Sequence, residues 1–210
     1  MARDTIILLH GLWMTGSEMS LLRRRLRKDG FLVDQFRYST LAHSLGHNTE
    51  RLARRIRQYD HTVHLIGHSL GGVLSLQTLR RYPDLNVDKV ICLGSPLLDA
   101  QAGRTFQRTL PGRIIIGKTL PEAVYSRPLE YWSGKQPVGV IAGTGGIGLG
   151  QFLVKLPKPN DGMVTLAETC LPGITDHLAV PSGHTGLILS EEVAKQCAVF
   201  IRNGKFNPAG

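Results

Sequence analysis

One heptapeptide, Ile66-Gly67-His68-Ser69-Leu70-Gly71-Gly72, constrains this chain more than any other stretch. The apolar run Thr62-Val63-His64-Leu65-Ile66 leads into it, and a helical pattern from Leu70 to Tyr82 follows. A Gly-x-Ser-x-Gly between strand and helix forces a tight turn with strained backbone angles, on which the serine hydroxyl stands clear of the sheet edge. Side chains at Gly67 and Gly71 would collide as strand and helix close on each other. The first N–H groups of the helix have no partner within it and face the same point, so they suit a developing oxyanion. The competing reading is an ordinary glycine-rich turn with an incidental serine. The strand and helix periodicities on either side argue against it.

The rest of the chain repeats strand and helix. Residues 5–9 read as a fully apolar strand of the kind buried on both faces. A loop from Gly11 to Gly16 follows, then a helix N-capped by Ser17, running to about Lys28 and ended by Gly30. Phe31 to Tyr38 reads as the second strand, Ser39 to Gly46 as a polar loop, and Asn48 to Tyr59 as a helix. Strand 62–66 enters the serine turn, and Pro83 stops the helix behind it. Val87 to Leu93 is the fourth strand, ended by Gly94-Ser95-Pro96. Residues 97–135 hold short amphipathic pieces broken by Pro111, Gly112, Pro121 and Pro128. They read as a small helical cap or flap, with a plain crossover helix as the alternative. Val138 to Ala142 is the fifth strand, Val164 to Thr169 a short helix, Thr175 to Val180 the last strand, and 190–202 the closing helix. This alternation predicts an α/β domain spanning 1–210, a mostly parallel sheet of about six strands with helices on both faces.

Bulk properties agree. A chain of 210 residues with 42% hydrophobic and 20% charged residues can bury a real core. No apolar run approaches the roughly 20 residues of a membrane span. Met1-Ala2-Arg3-Asp4 passes straight into a strand without a signal-peptide pattern, so the expected location is cytoplasmic. Cys92, Cys170 and Cys197 are odd in number and suggest neither a disulfide framework nor metal spacing.

The formal charge is +9. Much of the excess sits in Arg23-Arg24-Arg25-Leu26-Arg27-Lys28 and in Arg51, Arg54, Arg55 and Arg57. The simpler reading is two solvated helix faces whose long stems cover apolar surface. The alternative is an electrostatic face for peripheral contact with an anionic membrane. Nucleic acid is not an expected partner, since aromatics are only 6% and none interleave with the arginines.

The serine turn, the opening Thr5-Ile6-Ile7-Leu8-Leu9-His10-Gly11-Leu12, and the later Asn160-Asp161-Gly162-Met163-Val164 and Gly183-His184-Thr185-Gly186 together resemble the α/β-hydrolase superfamily. The first segment is similar to that superfamily's strand and His-Gly oxyanion loop, and the last two to its acid and histidine loops. Small bacterial lipases and esterases of the lipase A type are the most similar branch, and inositol-deacylase relatives share the same loops. The resemblance implies an α/β-hydrolase fold in minimal form with a small insertion after the fourth strand.

A serine hydroxyl needs a base within hydrogen-bond reach, and the base needs a carboxylate to fix its tautomer. The order in this fold is Ser, acid, His. His184 fits as the base: of the eight histidines it follows the last strand, between glycines. For the acid, Asp161 after the fifth strand leads, with Asp99 after the fourth and Asp176 in the strand before the His loop as alternatives. Leu70 and Leu12 are the expected oxyanion donors, with Trp13 an alternative to Leu12. His10 reads as a brace for that loop. Trp13 and Met14 read as substrate-lining residues or as core. Gly143-x-Gly145-x-x-Gly148 mimics a dinucleotide fingerprint, but Pro157 and Pro159 interrupt the segment where the long helix of that fingerprint would run. It reads as a flexible loop near the acid.

The expected activity is a serine hydrolase cleaving a small-molecule or lipid ester, with no cofactor and no metal. Acyl transfer or thioester hydrolysis on the same residues, or a non-catalytic binding protein of the same fold, are the alternatives.

Overall fold

The computed structural model describes residues 4–98, 129–146 and 156–207. In chain order these form β1 (Thr5–Leu9), a 3-10 turn (Ser17–Met19), α1 (Ser20–Lys28), β2 (Leu32–Phe36), α2 (Leu45–Ile56), β3 (Val63–His68), α3 (Leu70–Arg81) and β4 (Val87–Leu93). Then come β5 (Val138–Gly143), α4 (Leu166–Thr169), β6 (Asp176–Val180), α5 (Gly186–Leu189) and α6 (Glu191–Asn203). The strands form one six-stranded sheet in the order β2-β1-β3-β4-β5-β6. Every pair is parallel.

The continuous apolar run of β1 follows from its place in this sheet. Ile7 and Leu9 join a core cluster with Leu52 and Ile56 of α2 and Val73 and Leu76 of α3. Ile6 and Leu8 join the cluster on the opposite face, with Leu22 and Leu26 of α1 and Val193 and Phe200 of α6. A strand covered on both faces has no solvent side for polar residues to alternate onto. Each such side chain contributes about 1.5–3 kcal/mol by leaving water.

Several boundaries differ from the sequence expectation. Ser17 does not cap a helix: it opens the 3-10 turn, and its Oγ pairs with Thr15 Oγ1 at 2.8 Å. The Glu18 carboxylate accepts the Thr15 and Gly16 N–H groups instead. Gly30 ends α1 as expected, at φ 97°. The second helix begins at Leu45, because the Ser44 hydroxyl accepts the His47 N–H at 3.2 Å. Strand β2 stops at Phe36, because Tyr38 turns toward His10. Thr165 and Glu168 cap α4 reciprocally, which moves its start to Leu166. Of the expected insertion 97–135, only Leu97, Leu98 and residues 129–135 are described, so a cap there lies outside the described residues, as does Asp99.

The arginines of α2 and its flank spread over aromatic rings: Arg51 over Phe36, Arg55 over Tyr59 and Arg57 over Tyr82, at 5.7, 5.7 and 5.3 Å. Arg55 also pairs with Asp34 at 2.8 Å, and Arg27 donates to the Val33 carbonyl at 2.8 Å. These stems cover apolar surface while their heads stay near water. Among the described residues no helix is long and apolar enough to cross a membrane.

Candidate active site

The parallel sheet sends the loops after β1, β3, β4, β5 and β6 to one edge, where ligand sites of open α/β sheets form. The β3–α3 junction is the centre of that edge. Ser69 sits at φ 52° and ψ −121°, a strained conformation for a residue with a Cβ. Its N–H is held by the Leu93 carbonyl at 2.8 Å, and its own carbonyl accepts the Gly72 N–H at 3.1 Å. Ser69 occupies the helix N-cap position, yet its side chain makes no capping bond. A Cβ on Gly67 would stand 2.3 Å from the Gly71 carbonyl carbon and the Gly72 nitrogen. The crossing of strand and helix therefore tolerates only hydrogen there.

The loop after β1 lies against this serine. A Cβ on Gly11 would be 3.1 Å from the Ser69 Cβ. His10 braces the loop as expected. Its Nδ1 is 2.9 Å from the Gly11 carbonyl, and its Nε2 accepts the Tyr38 N–H at 3.3 Å, so Nδ1 carries the proton. The Tyr38 hydroxyl donates to the His10 carbonyl at 2.7 Å, and the two rings stack at 4.4 Å. Burial pushes the His10 pKa down, which keeps this brace neutral. Trp13, at φ 60°, directs its N–H toward Thr40 Oγ1 at 3.4 Å. No hydrogen bond to the Leu12 N–H is made among the described residues. Leu70 is the first residue of α3, so its N–H has no carbonyl within the helix. The two neighbouring side chains part ways: Trp13 is 49% exposed, whereas Met14 packs against the cluster shared with α1.

Asp161 and His184 meet at the same edge. Asp161 Oδ2 lies 2.7 Å from His184 Nδ1, with the carboxylate only 1% exposed. Asp161 Oδ1 accepts the N–H groups of Met163 and Val164 at 2.9 and 2.7 Å. The Asp161 carbonyl accepts the His184 N–H at 2.8 Å. With every acceptor engaged, the carboxylate has one orientation. Asp176 is spent elsewhere, accepting the N–H groups of His177 and Phe206. Other histidines also have neighbours elsewhere: His177 bonds Thr169, His61 lies between Thr5 and Asp60, His64 faces Asp88, and the His43 ring lies tilted against His47.

Two residues near this pair carried no role in the sequence reading. Gly94 ends β4 at φ 54°, and a Cβ there would stand 3.0 Å from Asp161 Oδ2 and 3.3 Å from His184 Nδ1. The signal available was a glycine directly after the fourth strand, read only as a strand end. The second is His68, fully buried beside the serine. Its Nε2 is 3.1 Å from the His184 carbonyl oxygen, and the two imidazoles lie 4.7 Å apart. The glycine loop 143–146 is clamped to both neighbouring loops, with Gly145 N–H on the Ser182 carbonyl and Gly146 N–H on the Asn160 carbonyl. Its glycines answer to close packing in the described part.

Residues 6–179 match the model of the alpha/beta hydrolase family, and the chain belongs to that family. The match takes in the His-Gly loop, the serine elbow and Asp161, and stops short of His184. Solved structures share the fold, three of which follow. A lipase of Bacillus licheniformis, BlEst2 in its mature form, is 20% identical, with 96% of this chain and 91% of that chain covered at a TM-score of 0.72. A pyrethroid hydrolase from Sphingobium faniae JZ-2 is 17% identical, with 96% and 98% covered at 0.62. Polyneuridine aldehyde esterase is 12% identical, with 96% and 100% covered at 0.65. No curated protein matches the chain.

Proposed function

We propose that the protein is a serine hydrolase of carboxylic esters, an esterase or lipase working through an acyl-enzyme on Ser69. The observation that carries this is the buried Asp161–His184 pair, 2.7 Å apart, built onto the same loop edge that carries a strained Ser69. Membership of the alpha/beta hydrolase family and the likeness to structures named lipase and esterase support the ester class.

In this reading Ser69 Oγ attacks the acyl carbonyl while His184 Nε2 takes its proton. Asp161 holds the proton on Nδ1 and stabilises the imidazolium. The N–H groups of Leu12 and Leu70 receive the oxyanion, a contribution worth about 10²–10³ in rate per donor. His184 then protonates the departing alcohol, and the same nitrogen activates water to release the acid. The half-exposed Trp13 flanks the acyl side, while Met14 packs against the core behind that loop. The chain works as one domain.

The test is a fluorophosphonate probe together with a chain-length series of p-nitrophenyl esters. Wild type should label on Ser69 and turn over esters, and Ser69→Ala should do neither. Equal labelling of the variant overturns the assignment, and the chain-length profile gives the acyl preference.

A further inference from the structure

The residue beside the nucleophile has a task that the serine chemistry above does not use. His68 is the last residue of β3 and has no solvent exposure. Its Nε2 lies 3.1 Å from the backbone carbonyl of His184. A carbonyl oxygen only accepts, so Nε2 carries the proton and His68 donates. The next turn does not compete for that oxygen: the Leu187 N–H goes to Gly183 and the Ile188 N–H to Thr185. The His68 ring also faces the His184 ring, 4.7 Å between centroids at 48°.

We infer that His68 is a positioning residue, which ties the His184 loop to the serine-bearing strand through its Nε2–H and sets the imidazole over Ser69. This rests on the serine-hydrolase reading. His184 is anchored to the acid loop on one side, through its Nδ1 and its N–H to Asp161. Both of those bonds move with the acid loop. Among the described residues, the bond from His68 is the hydrogen bond that refers His184 to β3, the strand that leads directly into Ser69. A loop displacement of about 1 Å can cost about 100-fold in rate, so a fixed reference of this kind matters.

The charge of His68 is equally part of the device. Burial, the neighbouring His184 and nearby His10 favour its neutral form, while the bond to the His184 carbonyl and the Asp161 charge pull the other way. The balance lowers its pKa to about 3. A neutral ring donates one hydrogen bond without opposing the positive charge that forms on His184 during turnover. A lysine or arginine at this position could donate as well, but its charge would oppose that imidazolium.

The test compares His68→Gln, whose amide can donate in place of Nε2–H, with His68→Leu, which fills similar space and donates nothing. Three readouts are taken: kcat and KM on a soluble p-nitrophenyl ester, thermal unfolding, and the low-field proton resonance of the His184–Asp161 hydrogen bond. His68→Leu should lower kcat about 10- to 100-fold with KM within twofold, and should broaden the resonance. His68→Gln should recover most of kcat and keep the resonance. If His68→Leu does not fold, His68→Asn, whose amide is too short to reach the carbonyl, takes its place. Wild-type kcat and an intact resonance in the donor-less variant overturn the inference, as does equal loss in Leu and Gln. If wild type neither labels with fluorophosphonate nor cleaves esters, the serine-hydrolase reading falls, and the resonance alone still decides whether His68 holds His184.

Discussion

Asp161 holds His184 at two points, by Oδ2 to Nδ1 at 2.7 Å and by its carbonyl to the His184 N–H at 2.8 Å. The side-chain bond fixes the tautomer and the backbone bond fixes the loop. The Met163 and Val164 N–H groups keep the carboxylate from rotating away. The His184 ring is thus tied to the acid loop through Asp161, whose carboxylate is fixed in turn by residues 163 and 164.

Asp161→Asn should lower kcat by about 10⁴-fold while leaving KM nearly unchanged, because an amide there favours the wrong imidazole tautomer. Steady-state kinetics on a soluble ester measures this. Near-normal turnover, combined with a dead Asp99→Asn, would move the acid to the loop after β4.

Gly67→Ala should destabilise the fold by about 3 kcal/mol, at the upper end of overpacking costs. The contact it creates is with backbone atoms of Gly71 and Gly72, at 2.3 Å, and backbone cannot rotate aside. Urea unfolding at neutral pH reads the loss. A midpoint equal to wild type would show that β3 and α3 are not packed as closely as described.

Stability should fall as pH drops below about 6.5. His10, His64, His68 and His177 all have pKa values lowered, in each case chiefly by burial. The unfolded chain takes up protons near 6.5, whereas the folded chain resists, so protonation favours unfolding. For His68 the window runs from about 6.5 down to about 3. The slope for one such group approaches about 1.4 kcal/mol per pH unit within the window. Denaturant midpoints at pH 7.5, 6 and 5 should decline in that order, and His68→Gln should decline less steeply. A midpoint constant over this range would contradict the buried neutral state of these rings.

Arg23 and Arg24 lie on α1, a helix that faces the sheet side opposite α2 and α3. Reversing both to Glu should leave turnover of a soluble ester within twofold. Co-sedimentation with anionic vesicles is measured in parallel at low and high salt, since a surface contact of this kind is screened by salt. Salt-sensitive binding of wild type, lost in the variant, would give this face a membrane role. No binding at low salt leaves it a solvated helix face.

The sequence by itself determined the elements whose cause is local. Strand β4 runs from Val87 to Leu93 as its pattern predicts, and Gly30 ends α1. The serine turn was legible because two glycines and a serine at fixed spacing answer to a steric demand that a few neighbouring residues create. Asp161 and His184 were legible through their loop contexts. Only tertiary structure decided which atoms meet there. Gly94 is a strand end in sequence and becomes the space beside Asp161 and His184 only when β4 and β5 pair. The start of α2 at Leu45 and the end of β2 at Phe36 depend on the Ser44 cap and on the Tyr38–His10 contact. His68 shows the division most sharply. Its place beside Ser69 is written in the chain, but its partner stands 116 residues further on, and a hydrogen bond over that separation leaves no trace in spacing or periodicity.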